Sequence, residues 1–264
     1  MAVDEVQKLW ELINASRYCV ALSGAGVSTL SGIRDFRGKN GLYKEMDAEK
    51  IFDVDYFFRD PSFYYSHAKN FIYDLEEKQA SVVHTVLGKL EARGLLKALV
   101  TQNIDLLHSK GGSKQVIEIH GSPQAHYCPR CQSAAAAEEA ILAREVKERG
   151  FMVFEEAAAV VRRDEMPRCE KCGAVLKPAI TFFGESLPVH ALSAAEKEAG
   201  RADLMLVLGT SLTVYPAAGL PGLTLKKGGK LVIVNEQDTP MDRYAALRFT
   251  DLGEVFRGLE KLMA

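Results

Sequence analysis

The chain has 264 residues, 47% of them hydrophobic, enough to build one large core with an appended module. Lysine plus arginine (33) nearly balance aspartate plus glutamate (35), and the net charge of −2 excludes bulk electrostatic binding to nucleic acid or to an anionic membrane. Met1–Trp10 scatters acids through an apolar pattern instead of placing a basic region before an apolar one, and no apolar run approaches the ~20 residues of a membrane helix, so a soluble, cytoplasmic protein is expected.

Val3, Val6, Leu9, Trp10, Leu12 and Ile13 recur at helical spacing and predict an opening helix. Tyr18–Leu22 reads as a buried strand that runs into Gly24-Ala25-Gly26-Val27-Ser28, a strand-to-helix turn. Glycines there let a backbone approach phosphate, and a helix N-terminus favours the anion. The dinucleotide fingerprint is nevertheless incomplete. Thr29 stands where its third glycine belongs, and no strand ending in an acid follows at the required distance, which disfavours a hydride-transfer enzyme. A tight strand–helix connection accounts for the same residues. Between Gly32 and Gly38, Arg37 can meet a phosphate or carboxylate through its fork of donors, and Phe36 can shield a reactive cation from water. Phe52–Tyr73 lacks strand alternation and predicts a second, mostly helical lobe.

Residues 81–94 predict a helix with Ser81 as N-cap, Val83, Val86, Leu87 and Leu90 as its buried stripe and Gly94 as its stop. Strand-like runs follow at Ala98–Thr101 and Val116–Ile119. Gln102-Asn103-Ile104-Asp105 comes directly after the first and His120-Gly121 after the second. Ligands of open α/β sheets bind off such carboxyl ends. Asn103 and Asp105 can hold a carboxamide or a ribose hydroxyl, and helix capping by either explains them equally well. An imidazole with an unperturbed pKa of about 6.5 suits His120 to general-base work. His67, His84, His108, His126 and His190 read as structural, with His108 near enough in sequence to brace the Asn103–Asp105 loop. Cys19 reads as a small buried hydrophobe.

Cys128-x-x-Cys131 and Cys169-x-x-Cys172 supply four thiolates, enough to close a tetrahedral zinc shell with no open position. Such a site is structural, and it stabilises a module with little core of its own. The 37 residues of Gln132–Arg168 are rich in alanine and glutamate and predict a helical excursion between the pairs. The flanking charges are mixed, without the basic stripe of a nucleic-acid finger. Later, Gly184-Glu185-Ser186-Leu187-Pro188 and Gly209-Thr210-Ser211-Leu212 form polar loops, the second after a strand at Leu204–Leu208. Asn235 and Glu236 follow a strand at Leu231–Val234, beyond a turn-rich segment at Lys226–Gly229. Leu252, Val255, Phe256, Leu259 and Leu262 mark a closing helix. Short apolar strands alternating with helices imply an α/β fold, a Rossmann-like parallel sheet with helices on both faces, plus a smaller zinc-ribbon and helical domain. Several small and polar strand-end loops converge on one large cofactor site.

In this order the motifs resemble the sirtuin family of NAD-dependent protein deacylases over nearly the whole chain. The matching pieces are Gly24–Ser28, Ser31-Gly32-Ile33, Asp35-Phe36-Arg37-Gly38, Thr101–Asp105, His120-Gly121 and both cysteine pairs. They continue with Phe183-Gly184-Glu185, Leu187-Pro188, Gly209–Leu212 and Val234-Asn235. The resemblance implies one catalytic unit over 1–264. Its NAD-binding lobe would take 1–38, 80–125 and 177–264, and its small lobe 39–79 (helical) and 126–176 (zinc). It implies that Gly24, Ala25, Gly26, Thr29, Phe36, Arg37, Gln102, Gly209, Thr210, Ser211, Asn235 and Glu236 line the NAD site. Ile104 and Asp105 would hold the nicotinamide carboxamide, with Asn103 beside the reacting ribose and His120 as general base. Acetylated proteins or peptides would enter near Phe36, His120 and Phe183 and pair as an added strand with Gly184–Leu187 and Leu212–Tyr215, including Val214. NAD would be consumed as a co-substrate and one zinc ion would be structural.

Three positions depart from the family pattern. Arg34 replaces a proline, which frees φ in its loop. Thr181 replaces a valine before the paired phenylalanines. The Tyr-x-x-Arg pair that reads acidic acyl groups is missing, since Tyr64 and Tyr65 are followed by His67 and Ala68. That favours acetyl or longer neutral acyl groups. ADP-ribosyl transfer to protein is a second reading, and a zinc-ribbon binding module on a degenerate nucleotide fold is a third, weakened by the joint presence of Asn103, Asp105 and His120.

Overall fold

The computed structural model describes residues 3–35 and 48–264, so Phe36 and Arg37 lie outside the described residues. Helix α1 (Val3–Ala15) carries Asp4 and Glu5 in its first turn, where acids complement the helix dipole. Strand β1 (Cys19–Ser23) leads into a 3-10 helix at Ala25–Ser31 instead of an α-helix. Its bonds have i to i+3 spacing: Val27 N–H donates to Gly24 O at 3.2 Å and Gly32 N–H to Thr29 O at 3.0 Å. Three short helices come next, α2 (Ala48–Ile51), α3 (Val54–Arg59) and α4 (Pro61–Ala68). Helix α5 (Val82–Ala92) starts at Ser81, whose backbone N–H is received by Nδ1 of His84 at 3.1 Å, a capping box with histidine in the usual glutamate place. It stops at Gly94, φ 70°, where Leu95 N–H reaches back to Leu90 O at 2.9 Å.

Strand β2 (Leu96–Thr101), helix α6 (Leu107–Lys110) and strand β3 (Val116–Glu118) follow. Then come β4 (Gly121–Tyr127), α7 (Ala134–Ala143), β5 (Met152–Val153), α8 (Phe154–Arg162) and β6 (Lys177–Ile180). The chain continues through α9 (Val189–Arg201), β7 (Leu204–Leu208), α10 (Leu220–Lys226), β8 (Lys230–Val234), β9 (Ala245–Phe249) and α11 (Leu252–Leu262). Among the described residues no helix is long and apolar enough to cross a membrane.

The described chain divides into two compact units, one taking 3–35, Gln79–Ile119 and Ser193–Ala264, the other 48–78 and His120–Leu192. The first unit holds a six-stranded sheet in the order β3-β2-β1-β7-β8-β9, and every neighbouring pair is parallel. All five residues of β1 and of β7 are buried, as a sheet covered on both faces requires. Alternate residues divide between two cores. Cys19, Ala21, Leu204, Leu206 and Leu208 pack with Leu9, Ile13, Leu87 and Phe256 on one face. Val20, Leu22, Met205 and Val207 pack with Ala195, Ala199 and Leu220 on the other. Strand order runs outward from β1 to β3, then reverses past β1 to β7, and the carboxyl ends flanking such a reversal form a ligand crevice.

The second unit holds a small antiparallel sheet, β5-β4-β6. Phe57, Tyr64 and Phe182 meet edge to face or tilted at 5.1–5.6 Å between ring centres and anchor the α2–α4 helices. This sheet has no period-2 signal in the sequence: β4 contains Pro123, and β6 places Lys177 before Pro178. The edge strand β9 and helices α9 and α10 also lay outside the expected elements.

Backbone sterics at the reversal generate a prediction. Gly209 has φ 59°, and a Cβ on it would lie 2.6 Å from Val27 N, whereas Gly228 has φ 78° with nothing within 4 Å. By denaturant titration, Gly228→Ala should lose about 1 kcal/mol, the left-handed penalty alone. Gly209→Ala should lose at least about 2 kcal/mol more, because backbone must shift.

Candidate functional site

In the first unit the loops after β1 and β7 lie backbone against backbone. Gly24 N–H donates to Leu208 O and Gly26 N–H to Gly209 O, both at 2.9 Å. A Cβ on Gly24 would come 2.7 Å from Cβ of Thr210, and one on Gly26 would come 2.8 Å from Cα of Gly209. Only glycine permits this approach at either position. The loop after β2 joins them, since Nε2 of Gln102 donates to Oγ1 of Thr210 at 2.8 Å. Ala25, Gly26, Gln102, Ile104 and Ser211 stay half-buried at this edge, and Thr29 is exposed with its hydroxyl on Gly26 O. Asn235 and Glu236 sit one strand further along, after β8, where Asn235 N–H bonds Phe249 O at 3.0 Å.

Beneath the glycine turn runs a polar layer. Ser28 Oγ donates to Oδ2 of Asp105 at 2.5 Å. Nδ2 of Asn103 donates to Gly24 O at 3.1 Å and to Ser28 Oγ at 3.2 Å. The other carboxylate oxygen, Oδ1 of Asp105, receives Leu107 N–H at 2.9 Å. Capping and site-building are therefore the same act for Asp105, whereas Asn103 caps nothing. With its nitrogen committed to these two bonds, the side chain of Asn103 has Oδ1 left as an acceptor. Ser28, the last residue of the Gly24–Ser28 motif, links both side chains, a link that no sequence spacing signals.

Deeper still, Oγ1 of Thr101 receives Asn103 N–H at 3.1 Å and the Ser23 hydroxyl at 2.8 Å, and Ser23 Oγ also meets Nε2 of His108 at 2.8 Å. The rings of His108 and His84 lie 4.7 Å apart, edge to face. His108 thus braces the Asn103 loop from below, as its position in sequence suggested. Burial, with His84 as a smaller cause, pulls His108 down to about 3.

His120 opens the second unit. Its carbonyl receives Thr181 N–H at 2.8 Å and its side chain is half-buried. Gly121, φ 75°, follows because a Cβ there would lie 2.2 Å from Ala179 O on β6. Beyond β6, Phe183 and Gly184 are exposed while Glu185 and Leu187 are half-buried. Val214 and Tyr215 belong to the first unit, Val214 half-buried and Tyr215 exposed.

The four sulfurs of Cys128, Cys131, Cys169 and Cys172 all lie within 4.8 Å of one another. Sulfur pairs stand at 3.5 Å (Cys128–Cys172), 3.5 Å (Cys131–Cys172) and 4.0 Å (Cys131–Cys169). A tetrahedron with Zn–S bonds of about 2.3 Å has edges of about 3.8 Å, so the quartet fits one zinc ion. His126, though near Cys128 in sequence, turns Nε2 to the Tyr73 hydroxyl at 2.9 Å and is no ligand.

Two outcomes follow from this geometry. His108 titrates near 3 when folded and near 6.5 when unfolded, so below about pH 6.5 the unfolded chain binds the extra proton and stability falls as pH falls. Urea titrations should show His108→Gln flattening this decline by about 2 kcal/mol between pH 6.5 and 5. Metal analysis should find one zinc per chain, lost in Cys128→Ser, and chelation should lower the melting temperature.

The sequence profile of the Sir2 family matches residues 24–216, well over half of the chain. An NAD-dependent protein deacetylase of Thermotoga maritima is 43% identical over 245 residues, 93% of this chain and 92% of that protein. An NAD-dependent protein deacylase of Thermococcus kodakarensis is 41% identical over 225 residues, 85% and 82% of the two chains. Among solved structures, Sir2 with a p53 peptide and NAD+ superposes with a TM-score of 0.84 at 40% identity, covering 98% of each chain. Sir2 bound to acetylated peptide does so with a TM-score of 0.81 at 38% identity, covering 98% of this chain and 97% of that one. With its motifs, its strand order and its cysteine quartet in family sequence, the chain belongs to the Sir2 family.

Proposed function

We propose that the protein is an NAD-dependent protein-lysine deacetylase. It transfers the acetyl group from lysine to ADP-ribose and releases nicotinamide and O-acetyl-ADP-ribose. The observation that carries this reading is the Ser28–Asn103–Asp105 layer at the carboxyl edge of β1 and β2. It offers a fixed carboxylate for a carboxamide N–H and a fixed amide oxygen for a ribose hydroxyl, beside a glycine turn open to pyrophosphate. A hydride-transfer site would need neither an orienting group for a departing carboxamide nor a general base after β3.

NAD is a substrate in this scheme. The acetyl oxygen of the lysine amide attacks C1′ of the nicotinamide ribose as the C1′–N bond breaks and nicotinamide leaves. Asp105 and Ile104 orient the leaving carboxamide, and Asn103 positions the ribose. His120 takes the proton from a ribose hydroxyl, whose oxygen then attacks the acetyl carbon. Water adds, the lysine amine departs, and the acetyl group remains on ADP-ribose. Gly24, Ala25, Gly26, Thr29, Gly209, Thr210 and Ser211 cradle the phosphates and ribose, with Asn235 and Glu236 toward the adenosine end; Phe36 and Arg37, outside the described residues, are assigned to the NAD site from their motif alone. The peptide contacts we assign are Phe183, Gly184, Glu185 and Leu187 in the second unit and Val214 and Tyr215 in the first. The zinc is structural and takes no part in the chemistry.

Neutral acyl groups suit this chain better than acidic ones. Tyr64 and Tyr65 are buried, the Tyr65 hydroxyl donates to Leu176 O at 2.7 Å, and no arginine stands three residues beyond either. A cytoplasmic setting keeps the cysteine quartet reduced.

Incubation with NAD and an acetyl-lysine peptide should give nicotinamide and deacetylated peptide in equal amounts, and His120→Ala should lower kcat at least about 100-fold. Adenine label from NAD fixed on protein without deacetylation would replace this reading with ADP-ribosyl transfer.

A further inference from the structure

The second unit contains a buried cation that the chemistry above does not use. Lys177, on β6, is 1% exposed, whereas its partner Glu185 is 22% exposed. Nζ of Lys177 lies 2.8 Å from Oε2 of Glu185 and donates to Ile180 O at 2.9 Å and to Pro178 O at 3.3 Å. The same ammonium sits 4.1 Å from the centre of the Phe182 ring. Burial pulls the ammonium below its ordinary range, and Glu185 pushes it back up.

What the pair holds is a turn. Oε2 of Glu185 also receives the Phe182 N–H at 2.8 Å, and Glu185 N–H returns to Phe182 O at 3.1 Å. Phe183 N–H donates to Phe52 O at 2.7 Å, and Val54 N–H donates to Phe183 O at 3.1 Å. Gly184 then turns with φ 93°. Phe182 is buried, while Phe183 and Gly184 stand in solvent. The turn is thus fixed from below by an ion pair and from the side by the chain at 52–54, with its outer face open. A structural salt bridge alone does not require the carboxylate to close the very turn that leads into an exposed, strand-ready segment.

We propose that Lys177 and the carboxylate of Glu185 are positioning residues for peptide capture, holding the Phe182–Glu185 turn in the shape that receives an acyl-lysine strand. This rests on the deacetylase reading. An extended peptide gains affinity from main-chain bonds to a preformed edge, so loosening the edge acts on binding before it acts on chemistry.

Steady-state kinetics with an acetyl-lysine peptide and NAD test this on the zinc-loaded protein. Glu185→Gln, which keeps the size of the side chain, should raise the peptide KM about 10-fold. Lys177→Met should do the same with kcat at saturating peptide and the NAD KM within about twofold of wild type, and Lys177→Arg should restore most of the peptide affinity. Melting curves and zinc content identify variants that fold. A folded Glu185→Gln or Lys177→Met with an unchanged peptide KM overturns the proposal, as does a loss confined to kcat or to NAD. If neither variant folds, exchange of the Phe182 amide proton in the wild type decides. Slow exchange without peptide supports a preformed turn, and fast exchange that slows only on adding peptide overturns it. A wild type that turns over no acyl peptide removes the deacetylase reading itself, which separates that failure from this one.

Discussion

Everything at the candidate NAD cradle depends on how closely two chain segments approach at the strand-order reversal. Gly24 and Gly26 after β1 meet Gly209 and Thr210 after β7 with no room for a single added carbon. That contact fixes the backbone of both loops, and it places the Gly24 carbonyl where it accepts from Nδ2 of Asn103. The parallel pairing of β1 with β7 and β2 sets the spacing, and the buried apolar strands on both faces make that spacing rigid. The positions of Gly24, Gly26 and Asn103 are therefore consequences of the sheet itself.

The polar layer beneath the turn is expensive to bury, and hydrogen bonds offset most of that cost, with Nδ1 of His108 left without a partner. Ser28, Asn103, Asp105, Ser23, Thr101 and His108 are all buried, and each hands a proton or a lone pair to the next. An unmatched group there would cost about 1–3 kcal/mol, so removing one member disturbs the others. His108 stays neutral near neutral pH because charging it so far from water is unfavourable. The second unit takes the opposite course with Lys177, burying a full charge and surrounding it with a carboxylate, two carbonyls and an aromatic face. Its antiparallel sheet is small, and the cysteine quartet supplies the closure that so short a core does not.

Much of this was legible in the sequence because the relevant signals are local. The parallel strands are short uninterrupted apolar runs, Ser81 and Gly94 bound α5, and the paired cysteines declare their own geometry. The motifs around Gly24, Asn103 and Gly209 fall directly after parallel strands of one sheet, and His120 follows β3 along the chain. What was illegible depends on partners far away in the chain. Lys177, between Leu176 and Pro178, looks like a surface residue until Phe182, Glu185 and the Ile180 carbonyl close over it. The link through Ser28 requires β1 and β2 to be paired before it exists. The strands of the second unit carry Gly121, Ser122, Pro123, Ala125, Pro178 and Ala179 in place of an alternating pattern, and only their pairing reveals them. Pro221 and Gly222 disguised α10, and the Ala25–Ser31 turn tightened to 3-10 because its bonds close three residues apart.

The central claim is that the Gly24–Gly26 and Gly209–Ser211 loops, with the Ser28–Asn103–Asp105 layer below them, form the NAD site. The crystal structure of the protein with NAD tests it most directly. The account predicts the pyrophosphate over the amides of the two glycine loops, the nicotinamide carboxamide against Asp105 and Ile104, and Oδ1 of Asn103 within hydrogen-bond reach of the ribose. NAD bound away from the β1–β7 reversal, or a carboxamide making no contact with Asp105, would contradict it.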